Sequence, residues 1–377
     1  MNILLKARLV ATAVLVTMAG ISMMSAQKVT IGTCSMKDGG EYTGEMQGGK
    51  PHGKGMVTYT DGDSYEGEFV KGKRQGYGIY TFPDGEKYDG EWFQDYQHGR
   101  GTYYYANNNR YVGLWYRDVQ QGEGTMYYYN GDRYEGEWAE GQREGEGTYT
   151  FATGDYYKGK WAEDKKEGSG VFQWMNGSRY EGAWKNNMRN GRGTYTYADG
   201  DEYTGDWKND VQHGRGIYHF RNGDIYEGDY SQGERTGQGV CTYANGDKYS
   251  GAFRDGEADG QGTFSWANGD SYTGGWKGGK LSGQGTLTSV NGDVLEGTFK
   301  DGKPEGTCIA RYADGRKFKG TFKDGKKEGK AIEEDADGNR FEGSYSEDIR
   351  DGEYVIKDRN GNITEQGTYI RGSKRAQ

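Results

Sequence analysis

Seven basic side chains crowd one short stretch of an acidic chain: Arg316, Lys317, Lys319, Lys323, Lys326, Lys327 and Lys330, relieved only by Asp324 and Glu328. Such a cluster can hold an anionic lipid surface or another polyanion, at about 1 kcal/mol per cation near a charged membrane. The competing interpretation is a solvated sheet end whose lysines block edge-to-edge pairing. Other residues suited to chemistry are sparse. Of the four histidines, His52, His98 and His213 each precede the first glycine of a Gly-x-Gly pair and read as polar loop positions, with His219 apart from them. No Ser-His-Asp set and no His/Cys cluster at ligand spacing occurs. Turns such as Asp61-Gly62-Asp63 lack the oxygen spacing of a calcium loop. Catalytic, cofactor and metal sites are therefore not expected, and the enzyme class is set aside.

Charge and composition narrow the partners. With 48 basic against 57 acidic residues the net charge is -9, so no dominant basic face invites nucleic acid. The 69 glycines and a mean hydropathy of -1.07 resemble disorder. Disordered chains, however, are poor in aromatics, and here 33 Tyr and 9 Trp fall at fixed intervals. Residues 1–26 differ from the rest: Lys6 and Arg8 precede a charge-free run that ends Met24-Ser25-Ala26. That is the pattern of a secretory signal peptide, or of an N-terminal anchor if it is kept. The expected location is outside the cytoplasm, in the periplasm, outer envelope or extracellular space. Cys241 and Cys308 lie about three repeats apart, roughly 29 Å at two strands per repeat, which is too far for a disulfide.

The positioning elements come from a 23-residue period. An anchor residue followed two places later by glycine recurs fourteen times, from Tyr42-Thr43-Gly44 to Tyr272-Thr273-Gly274 and on through Leu295, Phe318 and Phe341. A fixed period of this length marks a stacked repeat array and points to an extended surface in place of a pocket. Within one copy, Gly191 to Trp207, two runs of alternating character flank Asp199-Gly200, a hairpin signal. Strand parity selects a three-residue loop, Ala198-Asp199-Gly200, which sets Tyr195 opposite Tyr203, Gly193 opposite Gly205 and Gly191 opposite Trp207. The same register places Arg192 opposite Asp206 and, less favourably, Glu123 opposite Glu137. The next connection, Lys208 to His213, reads as a longer polar loop. Glycine rows should leave a trough in which Tyr and Trp rings lie flat, replacing an aliphatic core. A single layer built this way leaves an apolar stripe seeking cover, which suits self-association. The Gly-x-Gly pairs enter strands and open no helix, so they do not cradle phosphate.

Tyr134-Glu135-Gly136-Glu137-Trp138, followed by Gly145-Glu146-Gly147-Thr148-Tyr149, resembles the membrane occupation and recognition nexus (MORN) repeat, over roughly residues 38–361. The resemblance implies an all-β fold: an elongated single-layer antiparallel sheet of about fourteen consecutive hairpins. Its repeat-defining residues here are Tyr134, Gly136, Trp138, Gly145 and Gly147, and likewise Tyr203, Gly205 and Trp207. It also implies a non-enzymatic scaffold or adaptor for protein contacts, homo-oligomers included, with a phospholipid surface as the alternative. Glycan binding by the aromatic rows is a third option. The pattern wears towards the C-terminus, where Cys308, Ala331 and Tyr354 replace the second glycine and Phe299, Phe322 and Tyr345 replace tryptophan. Residues 27–37 then form a short leader and 362–377 a capping strand and tail.

Overall fold

The computed structural model describes residues 28–375, so the proposed signal segment lies outside the described residues. The chain forms two compact units. One takes the described residues up to Asn107 with Leu114–Val119; the other takes Asn108–Gly113 and everything from Gln120 onward. Each unit is an antiparallel sheet of consecutive hairpins in which short strands such as Arg133–Ala139 alternate with longer ones such as Gln142–Thr150. The leader contributes the strand Thr30–Ser35, paired with Glu41–Gln47, and the C-terminal residues contribute Ile363–Ile370 and Ser373–Arg375.

The hairpin register agrees with the parity argument. Gly191, Gly193 and Tyr195 face Trp207, Gly205 and Tyr203, and Arg192 faces Asp206. Tyr197 N–H donates to the Asp201 carbonyl at 2.9 Å and Gly200 N–H to the Tyr197 carbonyl at 3.1 Å. Gly200 closes this three-residue loop at φ +99°, in the left-handed region. Glu123 does face Glu137.

The second connection differs from the expected loop. Glu202–Lys208 and Val211–His219 pair to their ends, leaving only Asn209 and Asp210 as a two-residue turn at φ 50° and 69°. Both values are positive, as a type I′ turn requires. The Asn-Gly or Asp-Gly signal varies from copy to copy: Asn209-Asp210, Glu163-Asp164 and Arg117-Asp118 lack it, whereas Asp255-Gly256, Asp301-Gly302 and Asp324-Gly325 carry it. The surplus residues are taken up by a bulge. Gly136 faces Gly147 and Trp138 faces Arg143, so Glu137 alone opposes Glu144, Gly145 and Glu146. His52, His98 and His213 consequently lie within strands, not loops.

The aromatic side chains form the core of each unit. Anchors such as Tyr65, Tyr134 and Tyr203 are fully buried, and Trp138, Trp184 and Trp207 are each 5 % exposed. The tyrosine ring lies over the glycine pair, and the tryptophans stand against it instead of lying flat. Tyr134 meets Trp138 and Trp161 edge-to-face, both at 5.3 Å between centroids. Tyr134 Oη donates to the Glu137 carbonyl at 3.0 Å, and Trp138 Nε1 to the Gly124 carbonyl at 3.2 Å. The polar edges of Tyr134 and Trp138 are thereby satisfied inside the sheet.

The worn C-terminal repeats obey the same geometry. A Cβ placed on Gly147 would meet Tyr134 Oη at 2.3 Å. Where the second glycine becomes Cys308, Ala331 or Tyr354, the anchor is Leu295, Phe318 or Phe341, each lacking the hydroxyl. The space lost to a side chain is recovered from the ring. Phe318, Phe322, Phe341, Tyr345, Tyr354 and Tyr369 then close the end as one buried cluster.

Two expected outcomes follow from this geometry. Gly147→Ala lowers stability by about 1–3 kcal/mol through overpacking, and adding Tyr134→Phe recovers part of the loss, which a double-mutant cycle in denaturant measures. Glu163 holds φ 48° in its turn, where a side chain costs roughly 1 kcal/mol, so Glu163→Gly raises the denaturation midpoint.

Candidate interaction surface

A row of cations caps the aromatic core from the solvent side. Nine residues after each of several anchors, the long strand presents Arg74, Arg143, Lys166 or Arg189. The Arg143 guanidinium lies 4.4 Å over Trp161 and 5.5 Å over Tyr149; Arg189 lies 4.3 Å over Trp207 and 5.2 Å over Tyr195. The aspartate of the next two-residue turn holds each guanidinium. Arg143 Nε reaches Asp164 Oδ1 at 2.8 Å and its Nη2 the Asp164 carbonyl at 2.9 Å; Arg189 does the same with Asp210 at 3.1 and 2.7 Å. The aromatic rows are therefore capped by their own chain, and the expected open apolar stripe is absent over these repeats.

The basic run does not act as one patch. Strand alternation sends Lys317, Lys319 and Lys323 to the face opposite Phe318 and Phe322, whereas Lys327 faces Phe322 on the aromatic side. Arg316 pairs with Asp314 at 2.8 Å, Lys317 with Glu334 at 2.9 Å and Lys326 with Glu347 at 3.5 Å. Lys327 pairs with Glu333 at 3.4 Å and lies 4.0 Å over the Phe318 ring. Lys319, Lys323 and Lys330 have no ion pair among the described residues. Lys319 and Lys330 line an open groove of about 770 Å³, with Thr307, Thr321, Ser344, Glu342 and Glu353. Four of the run's seven charges are thus answered within the sheet.

A different surface was not legible as a site. In the first unit, on the face opposite Trp92, Phe93 and Tyr96 pair across a turn and are 42 % and 45 % exposed. Tyr116, 55 % exposed, joins them through His98, whose ring sits 5.5 Å from Phe93 and 5.3 Å from Tyr116. Arg117 lies 5.9 Å over Tyr96 and 5.7 Å over Tyr116, and the buried His98 Nδ1 makes no hydrogen bond. The signal was available: the residue after the tryptophan slot is Lys, Ala, Ser or Arg in most later copies and apolar in these. No group of three potential metal ligands occurs among the described residues, and no described helix is long and apolar enough to cross a membrane.

The repeat geometry can now be set beside known proteins. The MORN repeat model matches unbroken 23-residue segments from 42–64 through 272–294, then 296–315 and 318–340. The chain belongs to the MORN repeat family. The last anchor, Phe341, lies beyond the final matched segment. MORN repeats are structural repeats and bring no catalytic residues of their own. A comparison with curated proteins finds no match. Among solved structures, the chain is similar to the TCP domain of Drosophila melanogaster SAS-4 in complex with a proline-rich motif of Ana2, at 16% identity over 41% of this chain and 85% of that one, TM-score 0.28. It is also similar to the wild-type TCP10 domain of Danio rerio CPAP, at 14% identity over 53% and 99%, TM-score 0.31.

Burial pushes the anchor phenols up, to about 12 in Tyr42, Tyr180 and Tyr249 and further in Tyr134 and Tyr203. A raised phenol pKa means that folding favours the neutral form. This stability is fully present below the ordinary value of 10.0 and is lost as pH rises beyond it. Far-ultraviolet circular dichroism should show the MORN sheet intact up to pH 10 and cooperatively lost above it, with phenol ionisation lagging behind free tyrosine.

Proposed function

We propose that this MORN chain is a non-enzymatic scaffold that binds protein partners outside the cytoplasm. The observation that carries the proposal is the exposed cluster Phe93, Tyr96 and Tyr116 around His98 and Arg117. The repeat-defining aromatics are buried and hydrogen-bonded, so they are unavailable to a partner. This cluster is the reverse: large rings left half-exposed beside an arginine, the residue types that dominate protein interfaces. The apolar, charge-free N-terminal run supports export.

The test is capture of partners from the native compartment with wild-type bait and with Phe93→Ser combined with Tyr116→Ser, together with sequencing of the mature N-terminus. Both positions are solvent-facing, so the melting temperature should hold. The expected result is loss of captured protein by roughly tenfold or more. Unchanged capture sinks the assignment of this surface. Binding to anionic vesicles that survives both substitutions and fails on neutralising Lys319, Lys323 and Lys330 favours the phospholipid alternative.

A further inference from the structure

In the cation row over the aromatic core, two members lack any carboxylate partner among the described residues; Arg350, whose residue 21 places on is Arg371, pairs with Glu333 instead. In the second unit, Arg143 and Arg189 each receive the carboxylate of the residue 21 places on, Asp164 and Asp210. For Lys166 that position is Asn187, and for Arg235 it is Gly256. Asn187 Oδ1 accepts the Lys166 backbone N–H at 2.8 Å, as the aspartates do in their repeats, but it supplies no charge. The Lys166 ammonium lies 4.3 Å over Trp184, 5.0 Å over Phe172 and 5.5 Å over Tyr157. The Arg235 guanidinium lies 5.3 Å over Tyr226 and 5.7 Å over Phe253, with Nη1 3.8 Å from Cys241 Sγ. Neither cation has an ion pair among the described residues.

Lys166 is the more deeply placed of the two cations without a carboxylate. Burial pulls its ammonium down to about 8, against the opposing pull of Asp210. A cation held over aromatic rings and short of a counter-ion gains from any carboxylate that reaches it. The surrounding segment complements an acid: residues 156–192 hold eight basic side chains against four acidic ones, in a chain whose net charge is -9. The geometry of the acceptor is already given by the intact repeats, where one carboxylate oxygen takes both the backbone N–H and the guanidinium Nε.

We propose that Lys166 and Arg235 are anchor points for acidic side chains of a protein partner, each partner carboxylate supplying at the cation the charge that Asp164 and Asp210 supply in the intact repeats. The proposal rests on the scaffold function above and names the chemistry of the partner. It places this contact on the aromatic face of the second unit, whereas the Phe93 cluster belongs to the first.

The repeat itself supplies the decisive variant. Asn187→Asp with Gly256→Asp fills both gaps from within the chain, at turn positions where aspartate is the residue found at 164 and 210. Asn187 already holds φ 69°, so Asn187→Asp keeps its backbone, whereas Gly256→Asp at φ 80° costs roughly 1 kcal/mol, a conformation that Asp164 and Asp210 nonetheless hold at 65° and 69°. The probe is a fluorescein-tagged peptide of alternating Glu and Ala, compared with its Gln counterpart, in fluorescence anisotropy at low salt. Wild type should bind the Glu peptide, and the filled variant should bind it roughly tenfold more weakly while keeping the circular dichroism spectrum of the folded sheet. Lys166→Met with Arg235→Met should lose the same binding by removing the cations. Equal binding of the Glu peptide by wild type and the filled variant overturns the proposal. So does equal binding of the Glu and Gln peptides, or no binding of either. If the peptide arm fails while Phe93→Ser with Tyr116→Ser still abolishes partner capture, the anchor points fall and the scaffold function stands.

Discussion

The close approach of two backbones at each glycine pair governs the fold. A Cβ on Gly136 would meet Gly147 Cα at 2.5 Å, and one on Gly147 would meet the Tyr134 hydroxyl at 2.3 Å. A single-layer sheet has no second sheet to cover its apolar face, and this trough is the substitute. It lets a whole tyrosine ring sink into the layer until it is fully buried. The sunken ring then has to satisfy its hydroxyl, and the bulge supplies the acceptor: Glu137 turns its carbonyl to Tyr134 while its carboxylate takes the Glu146 N–H at 3.1 Å. Glycine pair, ring and bulge form one device, and the C-terminal exchange of tyrosine for Leu295, Phe318 and Phe341 shows its parts changing together.

Cohesion between repeats comes from short side chains at both rims of each sheet. On one rim, the acid that closes a three-residue turn accepts a turn N–H of the following repeat, as Asp132 does from Ala152, and Asp224 from Ala244, both at 2.8 Å. On the other, the turn aspartate reaches back to the preceding repeat, as Asp210 does to Arg189 N–H at 2.9 Å. These bonds use backbone groups that would otherwise face water, and each links only neighbours. Stability in such an array is a sum of nearest-neighbour terms. The tyrosine–tryptophan contacts obey the same rule, since Tyr134 touches the Trp of its own repeat and that of the next.

The all-β class, the repeat anchors, the three-residue hairpin and its register were legible because each rests on period and parity. Those are properties of spacing, and spacing is fully present in a sequence. The two-residue turns were missed where non-glycine residues such as Asn209 and Glu163 hold positive φ under tertiary pairing, although Asp255-Gly256, Asp301-Gly302 and Asp324-Gly325 carried the turn signal at the same repeat position. The bulge was missed for a related reason: period-two counting presumes an unbroken ladder, and the ladder breaks at Glu137. The cation row escaped notice because Arg, Lys and Gln share its position, and only the rings beneath give that position a meaning. The basic run looked stronger in sequence than in space, since strand alternation divides it and local carboxylates answer four of its seven charges.

Function in such a protein is best sought where the repeat breaks its own rule. A residue that recurs in step is explained by the fold, and its recurrence carries no information about a partner. An exception that the fold must tolerate is different. Phe93 and Tyr116 stand where later repeats place Lys208 or Lys300, exposing rings that contribute nothing to the trough. Asn187 stands where Asp164 and Asp210 neutralise a cation, leaving Lys166 over its rings without a carboxylate. Each exception costs something in isolation, an exposed apolar surface in one case and an uncompensated buried charge in the other. A bound partner relieves both costs, and the regularity of the surrounding repeats is what makes them visible.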